Sequence, residues 1–141
     1  MPKPKNEGYL GNSQVKRSGV AEEWDDEKVQ EYLKCTRDPA YFITKYIRII
    51  SLDEGLVPFE LYEYQKNLID QFIDNRFNIV LACRQSGKSI TVCAYLLWYL
   101  LFHPEQTVAI LANKGATARE MLSRITTVSY THLRAHETID D

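Results

Sequence analysis

"NIVLACRQSGKSITVCAYLLWYLL", residues 78–101, passes from a short β-branched run through Arg-Gln-Ser-Gly-Lys-Ser into a long apolar segment. A loop that leaves a buried strand and enters a helix aims successive backbone N–H groups at one spot, and the helix N-terminus adds its positive end; together these cradle a phosphate. The phosphate-loop pattern asks for Gly, four residues, then Gly-Lys-Ser/Thr. Ala82, Cys83-Arg84-Gln85-Ser86 and Gly87-Lys88-Ser89 fill those places, with only the leading glycine changed. In this reading Lys88 meets the β and γ phosphates of a nucleotide. Ser89 ligates Mg²⁺ through its hydroxyl, and Gly87 lets the backbone approach without a Cβ in the way. Gln85 and Ser86 contribute backbone N–H groups. The plain alternative is a Ser/Lys-containing surface turn.

The flanks agree with the first reading. "FNIVLAC", residues 77–83, is a short apolar run ending in small residues, the pattern of a strand buried on both faces. After the turn at 84–89 the apolar helix is expected to run to about Phe102, where His103-Pro104 stops it. "TVAILA", residues 107–112, reads as a second buried strand, and "NKGATAREMLSRIT" as a loop and the next helix. Strand, helix, strand is a βαβ unit, whose right-handed crossover predicts a parallel sheet. The expected fold class is therefore α/β, with N-terminal helices followed by the start of a P-loop NTPase domain.

Upstream, Asp25 and Asp26 open a helical stretch carrying Val29, Tyr32 and Leu33. In "RDPAYFITKYIRII", Asp38 is the expected N-cap and Pro39 the first helical residue, where its missing N–H costs nothing. Phe42, Ile43, Tyr46, Ile47 and Ile50 then fall on one face. "SLDEGLVPF" reads as a loop. A third helix, beginning near Leu61, carries Leu61, Leu68, Ile69, Phe72 and Ile73 as its buried stripe.

The 141 residues, 45% hydrophobic and 26% charged, suffice for one domain with a core. A net charge of −2 and a pI near 5.9 exclude a strongly basic protein, so contact with nucleic acid would need a local patch. Cys35, Cys83 and Cys93 are scattered and odd in number, unlike a zinc site or a disulfide framework, and fit a reducing compartment. Residues 1–20 mix four cations with Pro, Gly, Asn and Ser and read as a mobile leader without a secretion signal. The apolar run from Val92 to Phe102 is shorter than the about 20 residues a bilayer span needs, so a buried helix and no membrane association are expected.

The last fourteen residues, "VSYTHLRAHETIDD", offer no continuing helical stripe and carry His132 and His136. They resemble one reading frame of a transposon-end sequencing adapter. On that reading residues 128–141 are a non-native tail, the gene is cut short near Thr126 or Thr127, and no chemistry is assigned to His132, His136 or Glu137. His103 reads as a helix-end residue interacting with the dipole, and the acidic cluster at 22–27 as a helix start.

"YEYQKNLID", "VLACRQSGKS" and "VAILANKGATAREMLSRI" together resemble the N-terminal ATPase region of the large terminase subunit of tailed bacteriophages, the motor that packages DNA into proheads. The resemblance runs from about residue 38 to 124, and "PFELYEYQ" and "ILANKG" are its most telling parts. That family's deviant P-loop carries an arginine two places after the missing glycine, so Ala82 and Arg84 fit it. The resemblance implies an adenine-recognition element at Tyr64 and Gln65. A carboxamide both donates and accepts, and the ring of Tyr64 or Tyr62 offers a surface for the base. It also implies that Arg84 acts in cis on the γ phosphate, neutralising charge that grows in the transition state. Alternatively, Tyr64 and Gln65 are ordinary helix residues and Arg84 pairs with a carboxylate that shapes the loop. Asn113, Lys114 and Gly115 occupy a position suited to coupling the nucleotide to DNA, or form an ordinary strand-to-helix loop.

The expected organisation is a leader at 1–20, a helical part with the adenine element at 21–76, the start of the ATPase core at 77–127 and the tail at 128–141. Implied cofactors are ATP and Mg²⁺. Implied partners are double-stranded viral DNA, the portal protein, the small terminase subunit and further copies of the chain, in the host cytoplasm. Hydrolysis also needs an acidic residue after a later strand and a carboxylate to activate water. The family adds a nuclease domain, and the sequence supplies none of these, so weak nucleotide binding is the most expected of this chain alone. Two parallel strands by themselves would leave an unpaired edge and an open apolar face. A helicase-like nucleic-acid translocase and a non-catalytic nucleotide-binding module are the competing readings.

Overall fold

The computed structural model describes the backbone of residues 23–137 and the side chains of residues 23–129; the leader at 1–20 and the side chains of His132, His136 and Glu137 lie outside them. The described chain mixes five helices with one small sheet: α1 (Asp26–Arg37), α2 (Pro39–Tyr46), β1 (Arg48–Ser51), β2 (Gly55–Pro58), α3 (Glu63–Asp74), α4 (Lys88–Phe102) and α5 (Gly115–Glu137).

The helix starts follow the local chemistry. Asp25 accepts from the Lys28 amide at 3.3 Å and caps α1, and Asp38 accepts from the Tyr41 amide at 3.2 Å and caps α2, with Pro39 at its first turn. Each carboxylate satisfies an N–H that the helix itself leaves without a partner. On α2 the expected face is buried at Phe42, Ile43 and Tyr46, and Ile47 follows it into the core. Ile50 does not: the helix has ended, Ile50 sits on β1, and it is exposed.

The segment expected as a loop is a hairpin. β1 pairs antiparallel with β2, Ser51 opposite Gly55 and Arg48 opposite Pro58. Gly55 adopts φ +75°, a left-handed conformation that glycine enters without a Cβ penalty. Two short apolar runs around Leu-Asp-Glu-Gly are a hairpin signal, obscured here because the second run is brief and ends in proline. α3 starts at Glu63 rather than Leu61, and Ile69 is its most buried residue while Ile73 is exposed.

α4 is central, packing against α2, α3 and α5. Its apolar composition all round is that of a buried helix. Thr91, Cys93, Ala94, Leu97 and Trp98 are buried, and the Trp98 indole N–H donates to the Cys35 carbonyl at 2.8 Å, tying α4 to α1. The rings of Phe42, Trp98 and Phe102 meet in the same core, Phe42 and Phe102 edge to face at 5.2 Å.

The expected parallel sheet is not formed. The only sheet among the described residues is the β1–β2 hairpin, and residues 77–83 and 107–112 make no ladder. Ile79 and Leu81 are fully exposed, and Phe77 and Leu111 nearly so. The physical reason is that apolar, β-branched composition marks a segment suited to a sheet interior without supplying the neighbouring strands that complete its hydrogen bonds. The two segments flanking α4 do not pair with each other, and most of their side chains stay exposed.

Nor does the helical pattern break at 128. α5 continues to Glu137, and Val128 is buried in the core cluster. Among the described residues no helix is long and apolar enough to cross a membrane.

Candidate nucleotide-binding site

The turn from the extended segment into α4 is built by its own polar atoms. The Ser86 hydroxyl donates to the Cys83 carbonyl at 2.9 Å, closing the loop on itself. Lys88, the first residue of α4, folds back so that its ammonium donates to the Ala82 carbonyl at 3.1 Å, with Cys83 O at 3.5 Å. Gln85 (φ 59°) and Gly87 (φ 77°) are both left-handed, and Ser86 between them is not. Alternation of this kind turns successive N–H groups toward one concave side, the arrangement that receives an anion. Gly87 is also the N-cap of α4, its carbonyl accepting the first helical bond from the Thr91 amide at 3.1 Å. The predicted loop residues therefore come together at a helix start, where an anion meets the favourable end of the dipole.

The start of α3 is packed against this loop. Gln65 is buried, 2% exposed, and its carboxamide is engaged at both ends. Its Oε1 accepts from the Tyr62 amide at 2.8 Å, and its Nε2 donates to Thr91 Oγ1 at 2.9 Å and lies 3.4 Å from the Gly87 carbonyl. Thr91, fully buried, donates in turn to Gly87 O at 2.8 Å. A Cβ on Gly87 would stand 2.8 Å from Gln65 Nε2 and 3.4 Å from the Tyr64 hydroxyl, so the missing side chain is what allows the close approach. The rings of Tyr62 and Tyr64 lie outside this network: both are exposed, with ring centroids 6.1 Å apart and planes inclined by 13°.

The structure thus brings Tyr64, Gln65, Gly87 and Lys88 to one place. Gln65 is turned into the protein. Thr91 was not singled out from sequence; its signal was its place four residues after Gly87, on the buried side of the apolar helix. Arg84 is exposed and makes no hydrogen bond or ion pair among the described residues, and Ser89 is half-buried. Among those residues no group of three or more His, Cys, Asp or Glu side chains could hold a metal ion.

Other candidates resolve into helix ends. His103 is the C-cap of α4, its Nδ1 3.1 Å from the Tyr99 carbonyl and its ring stacked on Tyr99 at 4.5 Å. In the acidic cluster Asp25 is a cap, while Glu22 lies outside the described residues. The Lys114 carbonyl accepts from Thr117 and Ala118 as α5 begins, and Asn113 and Lys114 are exposed. Cys35 and Cys93 are buried, and desolvation pushes the Cys35 thiol up to about 11 and the Cys93 thiol upward too, so neither supplies thiolate near neutrality. Only Cys83, in the loop, is exposed. No protein-family model matches the chain.

Proposed function

We propose that this chain carries the nucleotide-binding part of an ATP-driven motor of the terminase large-subunit type, which packages double-stranded viral DNA in the host cytoplasm. The observation that carries the reading is the loop itself. Its backbone alternates in handedness at residues 85–87 and leads into α4, while the Lys88 ammonium lies back over the loop carbonyls. A triphosphate entering that concavity offers the ammonium a stronger, charged acceptor than the Ala82 carbonyl. Lys88 then meets the β and γ phosphates, the amides of Gln85, Ser86 and Gly87 line the remaining oxygens, and Ser89 serves Mg²⁺. Arg84, exposed beside them and free of a carboxylate among the described residues, is available to the γ phosphate, where charge develops during phosphoryl transfer. The portal protein, the small terminase subunit and further copies of the chain are the partners this function requires.

The test is titration of the chain with ATP and Mg²⁺, comparing Lys88→Ala with wild type. A charge-assisted hydrogen bond to phosphate is worth about 1.5–3 kcal/mol, so an affinity loss of roughly 10- to 100-fold is expected. In the complete motor the same substitution abolishes DNA translocation. Unchanged affinity, or retained packaging, overturns the reading.

A further inference from the structure

Resting on the nucleotide reading above, the geometry points to a site that takes nucleoside triphosphates with little discrimination among bases. The base is held by stacking on Tyr62 and Tyr64, while Gln65 is a positioning residue for the loop rather than a reader of adenine.

A carboxamide that reads adenine must offer its oxygen to the amino group and an N–H to a ring nitrogen at the same time. Gln65 has neither end at a surface. Its oxygen holds the Tyr62 amide at 2.8 Å, its nitrogen donates to Thr91 Oγ1 at 2.9 Å with Gly87 O at 3.4 Å, and the residue is 2% exposed. Swinging outward would strip the Tyr62 N–H of its acceptor and leave a void beside the fully buried Thr91. It would exchange buried hydrogen bonds for equivalent bonds to a base, with no net gain in their number. The bonds Gln65 already makes end at Gly87, the residue whose left-handed turn shapes the phosphate loop. It therefore acts on every triphosphate alike, whatever the base.

The exposed rings have the opposite character. Tyr62 and Tyr64 are 70% and 44% exposed, nearly parallel, and the Tyr64 hydroxyl lies beside Gly87. An aromatic face next to a phosphate loop receives a base through its π-surface, which all bases possess. Such stacking raises affinity by roughly 5- to 100-fold while tolerating base identity.

The experiment measures binding of ATP, GTP, CTP and inorganic tripolyphosphate to the whole chain, for wild type, Tyr62→Ala, Tyr64→Ala and Gln65→Met. The expected result is ATP and GTP affinities within about threefold of each other and both roughly tenfold above tripolyphosphate. Tyr62→Ala and Tyr64→Ala lower nucleotide affinity toward the tripolyphosphate value and leave tripolyphosphate itself unchanged. Gln65→Met weakens all four ligands in common and leaves the ATP-to-GTP ratio where it was, which separates positioning from base reading. An ATP preference over GTP of tenfold or more overturns the inference, most directly if it collapses in Gln65→Met. Should Gln65→Met fail to fold, the wild-type ratio still decides. Binding of tripolyphosphate without any gain from a nucleoside overturns the stacking role alone, whereas binding of none of the four ligands overturns the nucleotide reading and this inference with it.

Discussion

Gln65 Nε2 donates to Thr91 Oγ1 across 2.9 Å, and through that bond the first turn of α3 is fastened to the first turn of α4. Both side chains are buried, so neither can turn to water if the other is removed. Thr91→Val keeps the shape and deletes the hydroxyl, leaving an amide hydrogen without its acceptor. A destabilisation of about 1–3 kcal/mol is expected in urea unfolding, with Thr91→Ser close to wild type. Equal stability of the three proteins would remove the network from any structural role.

Gly87→Ala adds a Cβ at a left-handed residue and sets it 2.8 Å from Gln65 Nε2. Backbone strain alone is expected to cost about 1–3 kcal/mol. Shortening Gln65 to Ala in the same chain relieves the steric part, so the double mutant is less destabilised than the sum of the singles. Additive losses in thermal unfolding would mean that the two residues do not press on each other.

Arg84 is exposed and has no protein partner among the described residues, so its removal disturbs no packing. On the proposed motor reading, Arg84→Ala is expected to lower ATP turnover by about 10³-fold while nucleotide affinity changes by less than about threefold. Comparable losses in turnover and affinity would assign Arg84 to binding the ground state.

Glu31 gathers hydrogen bonds from Lys45, from the Tyr46 hydroxyl at 2.7 Å and from the Tyr41 hydroxyl at 2.9 Å, joining α1 to α2. The Lys45 bond foremost, then those from the two tyrosines, lowers its pKa from 4.5 to about 2. A carboxylate held below its unfolded value stabilises the fold at pH above that value, and the contribution disappears as pH falls from about 4.5 through about 2. Glu31→Gln is therefore expected to flatten the acid limb of a urea-midpoint-against-pH curve in that window. At the other end, Lys45 is raised chiefly by Glu31, and Tyr46 chiefly by burial. Their contribution is intact below their ordinary values of 10.5 and 10.0 and is lost above them. An acid limb unchanged in Glu31→Gln would place the acid sensitivity elsewhere.

Much of the helical framework was legible because its signals are local. Asp25, Asp38, Pro39 and His103-Pro104 act within one turn of a helix end, so their reading survives into the structure with α1, α2 and α4 in place. The Lys88 loop was legible for the same reason: its bend depends on Ser86, Gly87 and their immediate neighbours. The hairpin at 48–58 was missed because four-residue strands carry too few alternations to stand out from a loop. The parallel strands were over-read because 77–83 and 107–112 have strand composition, and composition does not provide a neighbour.

By itself the sequence determined where α1, α2 and α4 begin and where a tight turn closes on the Lys88 end of α4, since these follow from dihedral preferences and hydrogen bonds spanning a few residues. Tertiary structure alone decided that Gln65 faces Thr91 rather than solvent, that Glu31 collects two tyrosines and a lysine, and that the apolar segment ahead of the loop stays unpaired. Those outcomes depend on which distant surfaces meet, and a buried polar side chain takes whatever partner packing brings within reach.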